Sequence, residues 1–111
     1  MYCTVTTTDT GGESVAAARI VGEEMESWLR QMDGFQGFVL LAGEEKAIGM
    51  AFWESREVAE RYASVRTEFR ERILAIARVE IQEVVDYELA FARFGPALLA
   101  AAGATERPPG A

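Results

Sequence analysis

The sequence predicts a single α+β domain in which four strands and two helices follow one another in the order βαββαβ. Three observations carry this. Four short stretches are rich in β-branched, aromatic or alternating apolar residues, and two longer stretches between them repeat apolar residues at spacings of three and four. Glycine-bearing breaks separate the first four of these stretches. Half of the 111 residues are apolar, enough for one core and not for two.

Residues 2–8, YCTVTTT, suit a pleated strand, and Thr10, Gly11 and Gly12 break it. Ala18, Val21, Met25, Trp28, Leu29 and Met32 then form the inner stripe of a helix over 14–32, with Arg19, Glu23, Glu24, Glu26 and Arg30 outside. Asp33 and Gly34 supply a stop that tolerates the left-handed conformation. Residues 38–42 and 47–53 are two strand-length apolar arms joined by Gly43, Glu44, Glu45 and Lys46, a hairpin. In its second arm Ile48, Met50 and Phe52 share one face, and Gly49, Ala51 and Trp53 share the other, where the small residues admit a close neighbour.

Ser55 is an N-cap, and Glu57 sits in the first turn where the helix dipole favours a carboxylate. The spacing of Val58, Tyr62, Val65, Phe69, Ile73 and Ile76 predicts a second helix over 56–78. From 79 to 92 the period changes to two, with Ile81, Val85, Tyr87, Leu89 and Phe91 set against Glu80, Gln82, Asp86 and Glu88, which predicts the last strand with its carboxylates on a solvated face. The domain is expected over 1–94. Residues 95–111 are expected as a flexible Ala/Gly/Pro-rich tail with a short helical turn near 97–102. The element order is the split βαβ of ferredoxin-like domains, an antiparallel sheet with both helices on one face. The other face carries Tyr87, Leu89 and Phe91 or their neighbours, and a second copy of the chain would cover it.

Composition narrows the chemistry. The chain contains no histidine and no asparagine, so general bases and ligands of the imidazole type are absent, and carboxylates, tyrosines and arginines remain. Cys3 is the single cysteine; it excludes an internal disulfide and has no base or cation beside it to activate it as a nucleophile. Asp86 and Glu88 lack a third ligand, so no metal is expected. A net charge of -7 opposes nucleic-acid binding. No apolar run reaches the roughly 20 residues of a membrane span, and the N-terminus has neither a basic start nor an apolar segment, so a cytoplasmic protein is expected. Ten of the eleven basic residues are arginine and alanine is abundant, as in a GC-rich bacterial genome.

The segments GFQGFVLL and GMAFWES, followed by a helix bearing alanine and glutamate, resemble antibiotic biosynthesis monooxygenase-like domains of the dimeric α/β-barrel superfamily. The resemblance covers about residues 2–92. Met32-Asp33-Gly34-Phe35 stands where that family has a glycine-phenylalanine turn, and Phe52-Trp53-Glu54-Ser55 stands where a tryptophan closes a strand and Trp-x-Ser opens a helix. The resemblance implies a homodimer, a small apolar pocket between sheet and helices, no cofactor, and a small aromatic molecule as ligand. Better-known sites of the family place an asparagine near the tryptophan and often a histidine on or after the second helix; lacking both, this chain departs from the haem-degrading members. Tyr62, nine residues after Trp53, falls about where that histidine sits, with Arg66 one turn further.

Trp53, Tyr62 and Arg66 are therefore the candidate catalytic residues. Trp53 would stack on a planar ligand, Tyr62 would act as an acid or hold a deprotonated quinol oxygen, and Arg66 would stabilise a developing phenolate or enolate. Phe38, Met50, Phe52 and Phe69 are the candidate ligand-binding residues. Each has a plainer alternative, ordinary core packing for the apolar residues and a solvated side chain for Arg66. Two functions follow: a cofactor-independent monooxygenase acting on an aromatic or polyketide-type quinol, or a non-catalytic ligand-binding or dimerisation module of the same fold.

Overall fold

The computed structural model describes residues 1–9, 15–65, 68, 71, 72, 75 and 81–103. The β-branched N-terminal run forms β1 (Tyr2–Asp9), and the stripe that follows forms α1 (Val15–Leu29), buried at Met25 and Leu29. Gly34 reverses the chain at φ 85°, and the Gly34 carbonyl accepts from the Glu54 N–H at 2.8 Å, tying this turn to the end of the hairpin. The hairpin is β2 (Phe35–Ala42) and β3 (Lys46–Trp53), and α2 (Arg56–Arg61) follows. Ser55 caps α2 as expected: its hydroxyl accepts from the Val58 N–H at 3.2 Å. The chain ends with β4 (Ile81–Glu88) and α3 (Pro96–Gly103).

All strand pairs are antiparallel, in the order β2-β3-β1-β4. This is the α+β, ferredoxin-like sheet expected from the element order. Gly49, Ala51 and Trp53 of β3 share a face with Thr4 and Thr6 of β1, and α1 and α2 pack over that face. The core cluster is Leu29, Ala51, Trp53, Val58 and Ala59, with Tyr2, Trp28, Met32, Phe35, Phe38 and Tyr62 against it. The Phe38 ring lies over Gly49, where a Cβ would stand 3.3 Å from Cζ. Among the described residues no helix is long and apolar enough to cross a membrane.

Two elements depart from the expectation. The second helix, expected without a break over 56–78, ends at Arg61; Tyr62 turns at φ -97° and ψ 11°, and Ala63–Val65 tighten into a 3-10 turn closed by Val65 N–H to Tyr62 O at 2.9 Å. Tertiary contacts of Tyr62, described below, outweigh the continuous helical period here. Beyond the turn, the described residues Glu68, Glu71, Arg72 and Ala75 are helical. The last strand ends at Glu88 rather than at 92, its expected first residues 79 and 80 lying outside the described residues, and its pairing with β1 shifts register between Thr7 and Thr8. That shift changes which of its residues face the helices.

Candidate functional site

A cavity of about 50 Å³ lies between the sheet and the two helices. Its floor is Thr4 and Thr6 of β1, Phe38 of β2, Gly49, Ala51 and Trp53 of β3, and Ile81 and Val84 of β4. Its roof is Trp28 and Leu29 of α1, Met32 beyond it, Ala59 of α2, and Tyr62 and Val65 of the tightened turn. The small residues at 49 and 51 create the room: a larger side chain at either position would project from the floor toward the roof. The lining is nearly all apolar. Its polar side-chain groups are the hydroxyls of Thr4, Thr6 and Tyr62 and the indole N–H of Trp53.

Trp53 and Tyr62 are brought together, their rings stacked with centroids 5.5 Å apart and planes inclined by 22°. Phe35 meets the indole edge-on at 5.8 Å. The Tyr62 hydroxyl oxygen accepts the Asp33 N–H at 3.0 Å, which places the phenol oxygen at the rim beside the Gly34 turn and leaves its own hydrogen to donate. These contacts hold Tyr62 at the end of α2. Trp53 is buried, and its Nε1–H donates to the Thr4 hydroxyl at 3.2 Å, which in turn donates to Asp86 Oδ1 at 2.8 Å.

Phe38 lines the cavity with this pair, but Met50 and Phe52 do not. Side chains alternate along β3, so with Ala51 and Trp53 facing the helices, Met50 and Phe52 face the opposite side of the sheet, where they pair with Val5 and Cys3. Arg66 and Phe69 lie outside the described residues. Arg72 does not line the cavity, but its guanidinium lies 4.8 Å from the centre of the ring of Trp28, which does, and bonds Glu68 at 3.3 Å.

Asp86 corrects the sequence reading, which placed it on a solvated face. Val84 and Asp86 stand opposite Thr6 and Thr4 in regular register and so share their cavity side, and the bulge between Thr7 and Thr8 turns Ile81 to that side as well. Thr4, Thr6 and Asp86 were invisible as site residues because strand register is not written in a single strand's composition. Trp28 and Met32 were visible only as members of a core stripe. Cys3, on the other face, is buried, and burial together with the nearby Asp86 carboxylate pushes its thiol up, away from the thiolate a nucleophile needs.

Solved structures share this architecture. The cofactor-independent oxygenase SnoaB from Streptomyces nogalater superposes with a TM-score of 0.61 at 16% identity, over 82% of this chain and 94% of that one. The monooxygenase ActVA-Orf6 from Streptomyces coelicolor, solved with nanaomycin D, gives 0.59 at 17% identity over 85% and 91%. A protein from Deinococcus radiodurans assigned as an antibiotic biosynthesis monooxygenase gives 0.57 at 17% identity over 85% and 97%. The chain has the fold of the antibiotic biosynthesis monooxygenases. No protein-family model and no curated protein matches the sequence.

Proposed function

We propose that this chain, built on the antibiotic biosynthesis monooxygenase fold, is a cofactor-independent monooxygenase acting on a small aromatic, quinol-type molecule in the cavity beside Trp53 and Tyr62. The observation that supports it is the stacked Trp53–Tyr62 pair, which closes an apolar cavity where its floor and roof meet, with hydroxyls as the main polar side-chain groups of the lining. That is a surface for a planar, weakly polar ring system.

The chemistry draws its electrons from the substrate. A CH₂ group flanked by phenolic rings loses a proton to water at the cavity mouth, and the resulting carbanion reduces dioxygen and forms a C–O bond. The hydroperoxide so made loses water and leaves a carbonyl. One oxygen atom stays in the product and the other leaves as water. In this scheme Tyr62 donates its hydroxyl hydrogen to a ligand oxygen, Trp53 presents its ring, and Arg66 and Phe69 complete the site as the sequence reading has them. Dry walls favour the step, since the charge that develops interacts more strongly with fixed dipoles where water is excluded.

At about 50 Å³ the cavity is small. Benzene occupies an engineered cavity of ~150 Å³, so a fused-ring ligand requires outward movement of the lining. Met32, unbranched and half-buried, is the side chain best suited to give way. The missing asparagine and histidine favour a second reading, a non-catalytic ligand-binding or dimerisation module, and the small volume favours its dimerisation form. An oxygen electrode separates the two. Under the first reading a panel of anthrones and quinols includes one that drives oxygen uptake, and Tyr62→Ala abolishes it; under the second no member does, and an unchanged small molecule is recovered from the purified protein.

We further propose a homodimer formed through the sheet face opposite the helices. Val39, Leu41 and Tyr87 are exposed there, with Met50, Phe52 and Val85 half-buried between them.

A further inference from the structure

We propose that Asp86 is a positioning residue for the Trp53 indole, acting through the hydroxyl of Thr4. The functional half of this inference rests on the cavity being a ligand site; the structural half rests on the hydrogen bonds themselves.

Strand β1 lies between β3 and β4, and the register sets Thr4 opposite Ala51 on one side and Asp86 on the other. Trp53 is two residues beyond Ala51 and so faces the same side, diagonal to Thr4. The result is a chain of hydrogen bonds across three strands: Trp53 Nε1–H to Thr4 Oγ1 at 3.2 Å, then Thr4 Oγ1–H to Asp86 Oδ1 at 2.8 Å.

The direction of that chain matters. A hydroxyl has one hydrogen, and an ionised carboxylate can only accept. Asp86 therefore takes the Thr4 hydrogen, and the Thr4 oxygen is left to present its lone pairs to the indole. The bond to a carboxylate is charge-assisted, and it polarises the hydroxyl so that its oxygen accepts more strongly. Without the carboxylate, the hydroxyl hydrogen is free to turn, including toward the indole that now needs an acceptor.

The other contacts of Trp53 cannot do this work. Stacking on Tyr62 and the edge contact with Phe35 hold the plane of the ring. Neither strongly distinguishes the indole from the orientation reached by a half-turn about its Cβ–Cγ bond, because that turn keeps the ring plane, on which dispersion and quadrupole contacts depend, and exchanges the ring's edges. The N–H bond does distinguish the two. Asp86 thus sets, through Thr4, which edge of the indole the cavity sees, and commits the N–H to the protein rather than to a ligand.

Nuclear magnetic resonance of the full-length protein with labelled indole nitrogens tests this, since the chain has two tryptophans and Trp28 serves as an internal control. Thr4→Val removes the acceptor and moves the Trp53 N–H signal upfield. Asp86→Ala moves it in the same direction by less, and Asp86→Asn, whose neutral carbonyl accepts more weakly than a carboxylate, moves it least. The Trp28 signal stays in place throughout. A Trp53 signal unmoved in both Asp86 variants, or moved no further than that of Trp28, overturns the proposal; should Asp86→Ala not fold, Asp86→Asn decides alone. With a substrate found, Asp86→Ala lowers turnover by about 2- to 10-fold, the weight of one net hydrogen bond. Unchanged turnover alongside a shifted signal overturns the functional half. Absence of turnover in the unaltered protein counts against the proposed oxygenase instead, and the resonance measurement still decides the positioning.

Discussion

Single residues set the site's geometry, and Gly34 shows how tightly. At φ 85° it holds a conformation that a Cβ disfavours, and a Cβ there would stand 2.7 Å from Val58 Cγ1. Gly34→Ala is expected to cost about 2–4 kcal/mol, combining backbone strain with overpacking. Chemical denaturation measures it, and adding Val58→Ala should recover part of the overpacking share. Cys3 makes a second prediction. Its thiol is raised above the ordinary value of 9.0 by burial first and by Asp86 second. The folded state therefore favours the neutral thiol, so this contribution to stability is fully present below pH 9.0 and is lost as pH rises through the raised folded value. Urea midpoints measured across that range should fall more steeply for the unaltered protein than for Cys3→Ala. Among the residues that line the cavity, Trp53 and Tyr62 were legible in the sequence because one closes an apolar strand and the other lies on a helical stripe. Thr4 and Asp86 were not, because their meeting depends on the pairing of strands 82 residues apart.

Elements explain why some expectations were met and others were not. Strand and helix identities followed from local pattern: the alternation in β3 correctly divides Gly49, Ala51 and Trp53 from Met50 and Phe52, and the Ser55 cap starts α2 where a cap was expected. That same alternation turns Met50 and Phe52 away from Phe38, so these three expected ligand-binding residues do not meet. The end of α2 was not legible. Its apolar stripe continues past Tyr62 in sequence, but the stack on Trp53 and the bond from Asp33 N–H hold Tyr62 out of helical geometry. With only six residues in α2, its cap carries unusual weight, since so short a helix has little intrinsic stability. Ser55→Ala is expected to destabilise the protein by about 1 kcal/mol, while Ser55→Asp, which also accepts from the Val58 N–H, should restore most of it. Thermal unfolding of both variants checks this.

For the whole molecule, a four-stranded sheet covered on one face leaves the question of the other. Val39, Leu41 and Tyr87 are 39%, 49% and 54% exposed, and Phe91, Phe94, Leu98 and Leu99 add more apolar surface after β4. Burying each large side chain is worth about 1.5–3 kcal/mol. Contributed by two copies, several of them outweigh an association cost of about 4–15 kcal/mol. A two-fold dimer is the self-complementary arrangement. Sedimentation at micromolar concentration should give twice the chain mass of 12.2 kDa, and Leu41→Glu should shift the species toward the monomer; a stable monomer of the unaltered protein contradicts the dimer. The fold itself tolerates many activities, so the central claim belongs to the cavity. Its most direct test is reaction of the protein with an anthrone under dioxygen of the heavy isotope, with mass spectrometry of the product. The account predicts a quinone carrying a single heavy oxygen atom, formed by the unaltered protein and not by Tyr62→Ala. Anthrone recovered unchanged, or oxidised at the same rate without protein, contradicts it.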